Sequence, residues 1–343
     1  MKAIVKPDRA PGAEYRDVDV PAVGEQDLLV RVKAAAICGT DIHIYDWTPY
    51  AQERLTPPMI FGHEFCGEVV EVGSAVRRFQ SGDLVAGETH IPCGACYQCQ
   101  TGNQHICERM AILGVHTDGA FAEYVRLPEV CAWKLAPGTS PELGAILEPM
   151  GVAVHGVLAG RVDNRSVAVF GCGPIGLFAV GAAAAAGASQ VFALDVVPAR
   201  LSMAAQVAPQ AVRVNPKEQD AVAAILEATG GRGVDVCVEL TGNAAAARQA
   251  FQVLRKGGRV SLVGLYPGPV ELDLVSGVIY KEAQVLGVTG RLMWDTWFQM
   301  DKLLASGEFD PLPVITHRFP LADFEEAIAL AKSGQAGKII LMP

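Results

Sequence analysis

Hydrophobic and polar positions follow two different rhythms along the chain. Over residues 1–150 the apolar runs are short and close to period two, as in DLLVRVKAAAI (27–37) and GEVVEVG (67–73), and Gly and Pro interrupt them often. Side chains of a strand point alternately to its two faces, so this rhythm predicts an all-β domain built as a partly open barrel. From Ser166 the rhythm changes. An apolar run, SVAVF, meets a glycine turn, GCGPIG; then come a helical stretch, LFAVGAAAAAG, closed by Gly187, and a second strand, QVFAL, ending at Asp195. Further strands are predicted at 211–214, 234–240, 259–265 and 283–288, with helices near 198–206, 217–229 and 243–254 between them. Strands alternating with helices predict an α/β fold with a parallel, doubly wound sheet. Ser140-Pro141-Glu142 reads as a helix start on the passage between the two halves. After about residue 290 the alternation weakens. The expected division is therefore 1–150 plus 291–343 for the first domain and 151–290 for the second.

Composition narrows the class. The chain has 343 residues, half of them hydrophobic, which suits two cored domains better than one. A net charge of −9 gives no electrostatic support for binding nucleic acid. Ser166–Leu194 carries no charge and is long enough to span a bilayer, but GCGPIG and then Ser189 and Gln190 break it. Buried strands and a packed helix account for it, so no membrane span is expected. The opening MKAIVKPDRA lacks the apolar core of a secretory signal. Nine cysteines without such a signal point to a reducing compartment, and a cytoplasmic location is expected.

Four of those cysteines, Cys93, Cys96, Cys99 and Cys107, lie within IPCGACYQCQTGNQHIC at 91–107. In a reducing compartment the spacing C-x2-C-x2-C-x7-C suits a tetrahedral metal site, with Gly94 and Gly102 allowing tight turns. An iron–sulfur cluster also takes four cysteines. Four thiolates close the coordination sphere of zinc, so this site is read as structural, and the chemistry must lie elsewhere. A Cys, a His and a carboxylate, Cys38, His63 and Glu64, offer a second and open set if their two loops meet. The residues alone leave that meeting undecided. Cys66, Cys131, Cys172 and Cys237 read as ordinary buried side chains.

The glycine turn is G-x-G-x-x-G, with Gly171, Gly173 and Gly176 between a strand and a helix, and Asp195 follows 19 positions after Gly176. That context supports a dinucleotide site, with the pyrophosphate at the helix N-terminus and Asp195 on the adenosine ribose. A carboxylate there repels a 2′-phosphate, which favours NAD over NADP.

With these residues in view, the whole chain resembles the zinc-dependent medium-chain alcohol dehydrogenases. G-H-E-x2-G-x5-G at 62–73 matches their signature. AICGTDIHIYDW (36–47), GETHIPCGAC (87–96), ITHRF (315–319) and SGQAGKIIL (333–341) are most similar to the threonine-oxidising branch. The resemblance implies a GroES-like barrel domain plus a Rossmann domain, two zinc ions per chain, NAD as cofactor and a homotetramer. It implies that Cys38, His63 and Glu64 bind a catalytic zinc and that Glu148, in LEPMG, sits beside it. Thr40 and His43 would relay the substrate proton, and His90 would lie near the substrate pocket. Pro174, Ile175, Arg200, Val263, Gly264, Leu265, Val288 and Thr289 would join the three glycines and Asp195 in holding the cofactor. Val152 stands where the family often has Asn. The implied reaction is oxidation of L-threonine at C3 to 2-amino-3-oxobutanoate, coupled functionally to an enzyme that cleaves that product. A 2,3-butanediol or sorbitol-type dehydrogenase and a catalytically silent NAD-binding protein are the rival readings.

Overall fold

The computed structural model describes all 343 residues. They divide into two compact units, Met1–Pro149 with Ile315–Pro343, and Met150–Val314. The first break falls inside one helix, Pro141–Leu158.

The first unit is built on a seven-stranded sheet around the strand Asp27–Ala36. That strand pairs antiparallel with Glu64–Val72 over most of its length and with Tyr124–Pro128 at its start. Near its end it pairs with Lys338–Met342, whose other edge meets Ile315–Pro320. Its alternating apolar residues supply Leu28, Val30 and Val32 to the core. Phe61 stands edge-on to Phe121 and Phe324, with ring centroids 5.3 and 5.6 Å away. Cys66 and Cys131 are buried here, as ordinary core side chains.

The second unit is a six-stranded sheet in the order Val212–Val214, Gln190–Leu194, Ser166–Phe170, Val234–Glu239, Leu254–Leu262, Gln284–Gly287. Every neighbouring pair is parallel. The order reverses beside Ser166–Phe170, which opens a crevice at the carboxyl ends of the strands. The helix Pro174–Ala185 is buried from Gly176 to Ala183, and its small residues explain why so apolar a stretch packs on a sheet rather than crossing a membrane. No helix is long and apolar enough to cross a membrane.

Local chemistry sets the element ends. The helix expected from 217 begins at Ala221, because the Asp220 carboxylate accepts from the Val222 and Ala223 N–H groups at 2.9 and 3.1 Å. The strand expected to reach 265 stops at Leu262, because the Val263 and Gly264 N–H groups turn to the Glu239 carbonyl. The second unit also runs past the expected 290 to Val314. There the helix Asp295–Ala305 buries Thr296, Trp297 and Met300, so a stretch without strand alternation still belongs to this unit's packing.

The amino ends of this sheet are tied by Asp235. Its Oδ2 accepts from the Ser166 N–H and hydroxyl at 2.9 and 2.8 Å; its Oδ1 accepts from Arg255 Nε at 2.7 Å and Arg165 Nη1 at 3.1 Å. Burial works against the charged carboxylate, yet the Ser166 groups and the two arginines outweigh it and hold its pKa well below the carboxylate range. A depressed native pKa adds stability above the unfolded value near 4 and loses it as pH falls toward the native one. Asp235→Asn is expected to cost about 2 kcal/mol at pH 7. Denaturant unfolding at pH 7 and at pH 3 checks this: the gap between wild type and variant should narrow at the lower pH.

Candidate metal and dinucleotide sites

In the first unit, one pairing register brings distant ligand types together. Ala36 is opposite Glu64, so the chain leaving one strand at Cys38 lies beside the chain entering the next at His63. The Cys38 sulfur, a His63 ring nitrogen and a Glu64 oxygen lie within 4.8 Å of one another. His63 and Glu64 are buried, whereas Cys38 is partly exposed, so the set is open on the cysteine side.

Asp41 supports this set in two ways. Its Oδ2 accepts from the Cys38 N–H at 2.8 Å, which anchors the start of the short helix Gly39–Tyr45. Its Oδ1 lies 3.5 Å from His63 Nδ1, within ion-pair reach, and neither atom has a hydrogen-bond partner. Burial disfavours the imidazolium, but Asp41 and Cys38 raise the His63 pKa well above its ordinary value. These surroundings favour a cation, and a divalent ion fits the donor set of sulfur, nitrogen and oxygen with one side open.

A further residue reaches Glu64 from the other end of the chain. Lys338 is buried, and its Nζ lies 2.5 Å from Glu64 Oε1, close against Oε2, and 3.1 Å from the Ile37 carbonyl oxygen. Burial opposes the ammonium, but Glu64, Cys38 and Glu148 raise its pKa above the ordinary value. A carboxylate has about four acceptor positions, so one ammonium does not saturate Glu64. Glu148 lies outside the tight three-ligand set and accepts from Thr89 Oγ1 at 3.1 Å. Its charge acts on both Glu64 and Lys338.

Of the relay candidates, Thr40 and His43 share the helix that starts at Cys38. Thr40 is half-buried and His43 exposed, with His43 Nδ1 3.2 Å from Thr48 Oγ1. His90 is anchored by Glu88, whose Oε1 is 2.8 Å from His90 Nδ1 and 3.0 Å from its backbone N. Asp41 as a histidine support, Glu88, Thr89 and Lys338 were not singled out in the sequence. Only Asp41 left a local trace, as a helix-capping type three residues after Cys38.

The four-cysteine lobe forms as its spacing predicts. The sulfurs of Cys93, Cys96, Cys99 and Cys107 lie within 4.8 Å of one another. Cys96 Sγ is 3.5 Å from Cys99 Sγ and 3.8 Å from Cys107 Sγ. A tetrahedral zinc with bonds of about 2.3 Å requires sulfur separations of about 3.8 Å, so the lobe fits one zinc ion. An iron–sulfur cluster, several atoms across, would hold its thiolates farther apart. The Cys93 and Arg109 N–H groups donate to Cys107 Sγ, each at 3.3 Å. Hydrogen bonds from the Ala95 N–H, Arg109 and the Cys96 N–H push the Cys93 pKa down to about 5, toward the thiolate a metal needs.

In the second unit the glycine turn occupies the carboxyl edge of the sheet. Gly171 has a φ of +94°, where a side chain is strained, and a Cβ on Gly176 would lie 1.8 Å from the Gly171 carbonyl oxygen. Gly173, by contrast, faces open space, which leaves room for a pyrophosphate. Pro174 and Ile175 open the helix, whose N-terminus has no side-chain cap. Asp195 accepts from the Cys172 N–H at 2.7 Å and the Val197 N–H at 2.8 Å, with Arg200 Nη1 3.7 Å away. These bonds fix the carboxylate and leave it further acceptor capacity. Val263, Gly264 and Leu265 follow the strand Leu254–Leu262, and Val288 and Thr289 follow Gln284–Gly287. All of them therefore lie on the same edge as the glycine turn. Glu239, fully buried at the end of its strand, was missed; it accepts from the Thr241 N–H at 2.7 Å and the Tyr266 hydroxyl at 2.5 Å.

Known proteins resemble this chain along its length. Residues 24–137 match the alcohol dehydrogenase GroES-like domain, and residues 174–306 match the zinc-binding dehydrogenase domain. An L-threonine 3-dehydrogenase of Bacillus licheniformis is 45% identical over 343 residues, which is 100% of this chain and 99% of that relative. Among solved structures, a zinc-binding dehydrogenase of Sinorhizobium meliloti bound to NADP is 33% identical, with a TM-score of 0.91 over 100% of this chain and 99% of its own. The 2R,3R-butanediol dehydrogenase of Bacillus subtilis is 32% identical, with a TM-score of 0.89 and the same coverage. An open metal triad, a closed cysteine lobe and a glycine turn on a parallel sheet are thus joined by likeness along the full chain, and the protein belongs to the zinc-binding alcohol dehydrogenase family.

Proposed function

We propose that the protein oxidises L-threonine at C3 with NAD, giving 2-amino-3-oxobutanoate, as an L-threonine 3-dehydrogenase. The observation that carries this reading is likeness along the full length. The Bacillus licheniformis enzyme and further relatives, 43–46% identical, share that name, and the ligands such an enzyme needs are present and grouped. When bound, zinc lowers the pKa of a substrate hydroxyl, and NAD takes up the hydride.

The remaining work falls to side chains of this chain. Cys38, His63 and Glu64 hold the metal, and Asp41 and Lys338 hold two of those ligands in orientation and charge. Thr40 accepts the hydroxyl proton while giving up its own, and exposed His43 releases a proton to solvent. Glu148, with Thr89, and His90, with Glu88, supply the polar surroundings of the substrate. The Asp195 carboxylate takes the ribose hydroxyls of NAD and disfavours a 2′-phosphate. A homotetramer in the cytoplasm, serving an enzyme that cleaves the product, completes the proposal. Exposed Leu274, Ile279 and Tyr280, beside the sheet's edge strand Gln284–Gly287, offer apolar surface to another copy.

Three measurements test this reading. With L-threonine, L-allo-threonine, 2,3-butanediol and sorbitol offered in turn, NADH formation is expected to be fastest with L-threonine and faster with NAD than with NADP. Preference for the diol would overturn the substrate and leave the chemistry intact. His43→Ala should slow turnover roughly a hundredfold and flatten the pH–rate profile while metal content stays unchanged. Wild-type turnover in that variant would remove His43 from the relay. Elemental analysis should find about two zinc ions per chain. Brief chelation should remove one together with activity, and Cys99→Ser should lose the other and lower the unfolding midpoint.

A further inference from the structure

At the amino ends of the second unit's strands, the edge opposite the glycine turn, lies a cavity of about 210 Å³ lined by Arg161, Arg165, Arg255 and Arg259 with Asp235. The carboxylates do not balance these cations. Arg161 pairs with Asp163 at 2.5 Å, and Arg165 and Arg255 share Asp235. Arg259 makes no ion pair. Four guanidinium groups against two carboxylates, Asp163 and Asp235, leave an excess of two positive charges (4 − 2).

Arg259 is the most telling of the four. It is 6% exposed; its Nη2 donates to the Val157 carbonyl oxygen at 2.8 Å, and its Nη1 has no partner. Burial alone lowers its pKa to about 10. A buried guanidinium without a counter-ion is costly, and residue 160 is a glycine that puts no side chain over Nη1. The fold thus keeps a buried arginine whose charge and Nη1 an anion would match.

We propose that this arginine cavity is an anion site that binds one phosphoryl dianion, separate from the dinucleotide crevice. A doubly charged oxyanion matches the excess charge, and guanidinium groups bond phosphate oxygens in pairs. The cavity has room for one such group and none for a dinucleotide. Bound there, the anion ties together the feet of three strands, Ser166–Phe170, Val234–Glu239 and Leu254–Leu262. The source is free phosphate or the terminal phosphate of a small phosphomonoester.

The test is thermal unfolding of the zinc-loaded protein with saturating NAD, so that the pyrophosphate site is filled. Inorganic phosphate and glycerol phosphate are each compared with chloride at matched ionic strength. Phosphate is expected to raise the wild-type midpoint by several degrees over chloride. Arg161→Ala changes an exposed residue outside the core and should reduce that shift by more than half. Arg259→Gln retains an amide donor for Val157 and should abolish it. A shift with both phosphates identifies a site for a terminal phosphoryl group; a shift with inorganic phosphate alone identifies a site for the free ion. Equal midpoints in phosphate and chloride for the wild type, or a full shift surviving in both variants, would overturn the proposal. Neither result bears on substrate oxidation.

Discussion

A backbone ladder brings Cys38, His63 and Glu64 together. The strand Asp27–Ala36 is hydrogen-bonded on both sides near its end, to Glu64–Val72 on one and Lys338–Met342 on the other. With Ala36 opposite both Glu64 and Ile340, Cys38, Glu64 and Lys338 have little freedom to be anywhere but side by side. A slip of one residue would turn Glu64 to the opposite face of the sheet and leave Lys338 buried without its carboxylate. The fold therefore holds this site by register, and the buried ion pair penalises the wrong one.

The two candidate metal sites differ in geometry. The cysteine lobe draws its ligands from fifteen consecutive residues, 93–107, surrounds the ion and leaves no position for substrate. The Cys38 set draws on separate segments, is buried on two sides and is open on the third. Local spacing suffices for a staple. An open set drawn from separate segments needs support from neighbouring side chains, here Asp41 beside His63 and Lys338 against Glu64.

What could be read from the sequence follows the same division. The cysteine spacing, the glycine turn with its acid and the strand–helix alternation are local patterns, and the structure reproduces them. Cys38, His63 and Glu64 stand out as ligand types, but nothing in their spacing shows that two loops meet, and their role as one set comes from family resemblance. Lys338 is 274 residues from Glu64 and resembles any surface lysine in the sequence. Glu88 and Glu239 are buried acids whose partners are mostly backbone or neighbouring side chains, a role that leaves no pattern. The second unit's extension to Val314 was hidden because the helix Asp295–Ala305 belongs to it through packed side chains rather than strand rhythm.

The order in which the parts can form follows from Lys338–Met342 lying beside Asp27–Ala36 in the sheet. Emerging from a ribosome, the first 149 residues hold the cysteine lobe, the Cys38–His63–Glu64 set and most of the barrel, but not Lys338, the ion-pair partner of Glu64. The contiguous unit 150–314 has every strand it needs as soon as it is made. The inserted unit can therefore complete itself while its host still waits. The cluster begun at Cys38 is completed only when Lys338 reaches Glu64, so a nascent chain assembles this part of its first unit last.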